Sequence, residues 1–229
     1  MTKKIPKWES TLWSYISSGD GMHCPQYHHC RDRKKGCFCT DDSKEIFNRL
    51  LYGEPPFSPD NYDFITFETG RHHGIFGLVE MLAQKLLTRG RVHSPPVPNK
   101  IYRLADEQRP IEIHPLPLKV YHGAIWHLRD GWVIQLKADD TPASQRLTLF
   151  HEVFHILAHC KTIPVFSKRQ AVQGSFNELL ADYFACCILL PREWVKKKWI
   201  EVNDLDRMAE IFEAPKSVMW LRLRQLGLI

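Results

Sequence analysis

At 229 residues, with 44% hydrophobic and 25% charged side chains, the chain has the profile of one globular domain with or without a small appendage, which excludes a disordered chain and a fibrous repeat. Its 31 Lys and Arg against 26 Asp and Glu leave a net charge of +5, too small to demand a nucleic-acid partner. No run approaches the roughly 18 to 20 uncharged apolar residues of a membrane span.

Lys3, Lys4 and Lys7 precede Trp8 to Ser18, but Glu9 and several polar residues break the apolar stretch that a secretory signal needs, so a cytoplasmic location is expected. Seven cysteines make an odd count, and in a reducing compartment clustered thiols bind metal or stay free before they form a disulfide framework. Four of them, Cys24, Cys30, Cys37 and Cys39, stand among His23, His28 and His29. Their spacing lacks paired C-x-x-C knuckles, which leaves two readings open: a second, structural metal, or free thiols.

Proline-rich breaks at Gly53-Glu-Pro-Pro-Phe-Ser-Pro59 and Ser94-Pro-Pro-Val-Pro98 punctuate the chain. Residues 1–60 are read as a Cys/His-rich segment and 61–229 as the main domain. Past the first break, Ile75, Leu78, Val79, Leu82 and Leu86 recur at helical spacing until Gly90. From Ile111 the pattern changes to short β-like runs, and Ala124 to Leu128 and Trp132 to Leu136 flank Arg129-Asp-Gly131, whose Asp-Gly pair predicts a hairpin turn.

Thr141-Pro142 supplies an N-cap and a proline at the first helical position, and Leu147, Phe150, Phe154 and Leu157 form an apolar stripe, which predicts a helix to about Cys160. A further helix is expected over Ser175 to Leu190, stopped by Pro191. Two short helices, Leu205 to Phe212 and Lys216 to Leu226, separated by Glu213-Ala-Pro215, then finish the chain in the outline of a helix-turn-helix (203–227). From Arg192 onward eight Lys and Arg oppose six Asp and Glu, too balanced for a phosphate-binding face, so direct DNA binding is not expected and the unit is read as packing.

The first of the two long helices carries His151-Glu152-Val-Phe-His155. Residues four apart lie about 6 Å apart along one helix face, so two imidazoles can converge on one ion. Glu152 falls off that line and is positioned beside such an ion, where a general base for water belongs. A catalytic zinc takes three protein ligands and keeps a position open. His159, about 12 Å from His151 along the axis, cannot share the ion. Glu178, on the second helix, is the expected third ligand, because Glu178, Ala181, Asp182 and Ala185 share a face whose small alanines permit close approach. Asp182, one turn on, is placed to accept a hydrogen bond from the outer N–H of a ligand histidine. Tyr183, Arg146, His122 and His127 are considered as oxyanion donors and read as structural, and Cys186 and Cys187 as core.

Arg146-Leu-Thr-Leu-Phe-His151-Glu-Val-Phe-His155-Ile-Leu-Ala-His159, followed by Asn177-Glu178-Leu-Leu-Ala-Asp-Tyr-Phe-Ala185 and Leu189-Leu-Pro191, resembles the ImmA/IrrE family of metallo-endopeptidases. The resemblance runs from about Ile75 to the C-terminus; the Cys-rich front departs from it. It implies an α+β, zincin-like fold with a small antiparallel sheet on a helical bundle, zinc at His151, His155 and Glu178, and Glu152 as base. It also implies a helix-turn-helix transcriptional repressor as the protein substrate. The alternative is a repressor- or DNA-binding module whose zinc is structural.

Overall fold

The computed structural model describes residues 7–17, 73–119, 121–161 and 171–229. The expected metal cluster at Cys24, Cys30, Cys37 and Cys39 lies outside the described residues. In chain order the elements are α1 (Lys7–Ser17), α2 (His73–Arg89), a 3-10 helix (Asn99–Leu104), β1 (Ile111–Leu116), β2 (Gly123–His127), β3 (Trp132–Lys137), α3 (Pro142–Lys161), α4 (Ala171–Leu189), α5 (Arg192–Val202), α6 (Leu205–Phe212) and α7 (Lys216–Gln225). None of the described helices is long and apolar enough to cross a membrane.

The α+β class is the one expected, but the sheet is mixed, not antiparallel. Its order is β1-β3-β2. The predicted hairpin forms, with Gly123 opposite Leu136 and the Leu128 N–H donating to the Gly131 carbonyl at 2.8 Å across the turn. The third strand then inserts between the first two, and because these run in opposite senses it must be parallel to one: Ile111 stands opposite Trp132 in a parallel β1–β3 pair. Pro115, which has no N–H to give a ladder, sits on the outer strand β1 where that loss is tolerated. Among the described residues β2 is the opposite edge.

Alternation along β3 buries Trp132, Ile134 and Leu136 against α3, whose stripe of Leu147, Phe150, Phe154 and Leu157 is buried as predicted. Thr141 caps α3, its Oγ1 accepting from the Ser144 N–H at 3.2 Å. The next helix, α4, is buried on every side between Leu179 and Leu190, more than the single apolar row expected, because it packs against α2 as well as α3. Ala181 and Ala185 are fully buried and give α4 the close approach anticipated for them. The first helix adds Leu12 and Trp13 to the same core and ties Glu9 to Lys85 of α2.

Three helices close the chain where two were expected. The extra one, α5, was hidden by the Lys196-Lys197-Lys198 block and buries only Val195 fully. Asn203 ends it in the left-handed conformation, and Asp204 caps α6 by accepting from the Arg207 N–H at 2.7 Å. Met208, Phe212, Val218, Met219, Leu221 and Leu223 of α6 and α7 are buried in the core. Arg222 of α7 is 1% exposed; it donates to the Leu190 carbonyl at 3.0 Å and to Glu80 Oε1 of α2 at 2.6 Å. Arg192 donates to both oxygens of the same carboxylate at 3.3 and 3.2 Å. One acidic side chain thus pins the C-terminal helices to the core.

Candidate metal centre

The helical register of α3 sets His151 and His155 one turn apart, their Nε2 atoms 3.2 Å from each other. The antiparallel neighbour α4 brings Glu178 to the same point: its Oε2 is 3.2 Å from His151 Nε2 and its Oε1 3.5 Å from His155 Nε2. An ion held at about 2.0–2.1 Å by three corners of a tetrahedron needs donors about 3.3–3.4 Å apart, and this trio meets that spacing. Two imidazole lone pairs and a carboxylate facing one another repel unless a cation stands among them. The donor set therefore fits a divalent metal, and it is the trio expected from the sequence.

Asp182, one turn along α4, accepts from His151 Nδ1–H at 2.6 Å. That bond leaves the Nε2 lone pair free to face the cluster. Burial opposes charging of His151, but the carboxylates of Asp182, Glu178 and Glu152 outweigh it and hold the imidazole well above the usual histidine range. Burial likewise works against ionised Glu178, yet its bonds to the two imidazoles hold its carboxyl far below the ordinary value.

Glu152 points off the histidine line, as expected. It is buried, and burial pushes its carboxyl up, a shift that the two histidines reduce without cancelling. Its Oε1 lies against the start of β2, where a Cβ on Gly123 would stand 3.1 Å from it. The sequence reading missed this neighbour, although a glycine opening a strand is itself a sign of close backbone approach.

The remaining candidates have partners of their own. Tyr183 is buried edge-to-face on Phe76, with its hydroxyl raised by burial. Arg146 donates to the Val97 carbonyl at 2.8 Å and pairs with Glu213. His127 stacks on Trp132 and meets Arg109, and His122 is bonded to Asp140 at 2.6 Å. Cys186 and Cys187 are buried thiols pushed up to about 12 and about 11 by that burial, which makes them inert core. The side chain of His159 lies outside the described residues.

Residues 106–224, just over half of the chain, match Peptidase_M78, the IrrE N-terminal-like domain family. The chain belongs to that family. As a Peptidase_M78 member it carries the architecture of a metallopeptidase, and membership implies a metal, usually zinc. Among solved structures, a Mycobacterium tuberculosis transcriptional regulator is similar in fold, with a TM-score of 0.50 at 17% identity over 65% of this chain. The match spans 46% of that protein, so the chain corresponds to less than half of its length. No curated protein matches the chain.

Proposed function

We propose that this Peptidase_M78 member is a zinc-dependent endopeptidase that cuts a helix-turn-helix transcriptional repressor in the cytoplasm. The observation that carries the enzymatic reading is the trio His151, His155 and Glu178, spaced as metal donors, with the buried carboxylate of Glu152 beside it. When bound, zinc supplies Lewis acidity that activates water and polarises a substrate carbonyl. Glu152 takes the proton of the attacking water and passes it to the departing amine. Asp182 holds His151 in the tautomer that faces the metal. The edge of β2, unpaired among the described residues, offers an extended segment a ladder beside Glu152, which favours linkers over folded domains.

The repressor as substrate rests on the resemblance to the ImmA/IrrE family and is supported by the regulatory protein that shares the fold. The module reading, with structural zinc, fits less well: a structural site is closed by four protein ligands, whereas three converge here among the described residues. Incubating the zinc-loaded chain with a repressor encoded beside it, and with Glu152→Gln in parallel, tests the proposal by mass spectrometry of fragments. A single cut made by the wild type and absent in the variant is expected. Equal biological output from both proteins would favour the module.

A further inference from the structure

Gly123 opens the edge strand where β2 comes against α3. A Cβ there would overlap Cγ2 of Thr148, stand 3.1 Å from Glu152 Oε1 and 3.3 Å from the Gln135 carbonyl oxygen. The backbone at this position is not left-handed, so conformation does not demand a glycine. Space does. Thr148 and Glu152 are one turn apart on the same face of α3, so strand main chain, threonine methyl and carboxylate share one gap. Thr148, Glu152 and the facing residues Ile134 and Leu136 of β3 are all buried, so none can swing into solvent to relieve crowding.

We propose that Gly123 is a positioning residue for Glu152: its missing side chain lets the carboxylate stand directly beneath the edge strand, so that the base and the ladder that carries the substrate are in contact. The inference rests on the endopeptidase reading. It assigns Gly123 a part in the rate of the chemical step beyond its part in packing. A displacement of a reacting group by about 1 Å can cost about a hundredfold in rate. A contact of 3.1 Å forces a shift of only a few tenths of an ångström, so a kcat loss of about tenfold is the expected scale.

Thr148 separates the two parts. Replacing it with serine removes the methyl that overlaps a new Cβ while the crowding on Glu152 stays. Thr148→Ser, Gly123→Ala and the double variant are compared in Tm, zinc content, KM and kcat on one peptide spanning the cleavage site. Gly123→Ala alone should lose both stability and activity. In the double variant Tm should return to that of Thr148→Ser, with zinc content and KM within about twofold of wild type and kcat still down about tenfold. Recovery of kcat together with Tm would overturn the proposal and leave Gly123 a packing glycine. A crystal structure of the metal-free double variant supplies a readout independent of turnover: a displaced Glu152 carboxylate is expected, and an unmoved one refutes the inference. If the wild type cuts no peptide, the endopeptidase reading fails separately, and the crystal still decides whether Gly123 sets the place of Glu152.

Discussion

Replacing Asp182 with Asn keeps the side chain's size and one acceptor oxygen but removes the charge that faces His151 Nδ1 at 2.6 Å. Both side chains are mostly buried, 16% and 11% exposed, so solvent does little to soften the loss. A hydrogen bond to a charged group contributes about 1.5–3 kcal/mol against about 1 for a neutral one, which puts the difference at about 0.5–2 kcal/mol. At 1.36 kcal/mol per decade this weakens zinc binding by about 2- to 30-fold, its upper part within the 10- to 100-fold typical of partners behind a ligand histidine. The deficit should depend on pH. In the metal-free protein zinc must displace the proton on His151, whose pKa is raised well above the ordinary value, with Asp182 the largest raising influence against burial. The wild type therefore begins to lose affinity at a higher pH than the variant as acid is added, by up to tenfold per unit, and the gap between them narrows. Chelator competition followed from alkaline pH down through the ordinary histidine range measures both ends of this window. Equal affinities at the upper pH, or a deficit that stays constant, would refute Asp182 as the partner that prepares His151 for metal.

Glu152→Gln should lower kcat by about 10²- to 10⁴-fold, the usual share of a general base, while zinc content by metal analysis stays unchanged. Glu80→Gln strips the counter-charge from fully buried Arg222 and should cost about 3 kcal/mol in urea unfolding, the low end of the range for breaking a buried pair because Glu80 is a quarter exposed. Arg222→Met should cost less, because Glu80 keeps Arg192; the reverse ranking would discredit the network. Burial raises the Glu80 pKa, but its two arginines outweigh that and hold it below the ordinary value. Its contribution is therefore complete above the unfolded-state pKa of about 4.3, fades as pH falls through the lower folded value, and should vanish from the acid limb of stability in the glutamine variant. Chelation should abolish cleavage and lower Tm while the far-ultraviolet dichroism of the helices persists; global unfolding on metal removal would mark the zinc as structural.

The metal trio was legible because each part of it follows local rules. Thr141-Pro142 fixes the start of α3, Pro191 lies just past the end of α4, and four-residue spacing aligns His151 with His155 whatever the rest of the chain does. Glu178 and Asp182 could be named because their face of α4 carries alanines that only a close neighbour would require. The hairpin was equally local, written in Asp130-Gly131. What escaped depends on contacts between distant segments. Nothing within Ile111 to Leu116 says that β3 will enter beside it in parallel, since that pairing joins segments 21 residues apart in the chain. The all-round burial of α4 needs α2 behind it, so Tyr183 could not be read as interior from one stripe, although Cys186 and Cys187 could. Helix α5 is half-buried, with Val195 inside and Trp194, Trp199 and Val202 against the core, but its lysine block masks that stripe in the sequence. The meeting of Gly123 with Glu152 joins residues 29 positions apart and exists only once sheet and helix have docked.

The edge strand is five residues long, about 17 Å of extended chain. A substrate bound along it, as proposed, would have room for only a handful of side chains, too few for this strand alone to single out one protein in a crowded cell. On that reading discrimination would come largely from which chains expose a stretch of that length in extended form, and from surfaces of the target that touch this protein well away from the bond being broken.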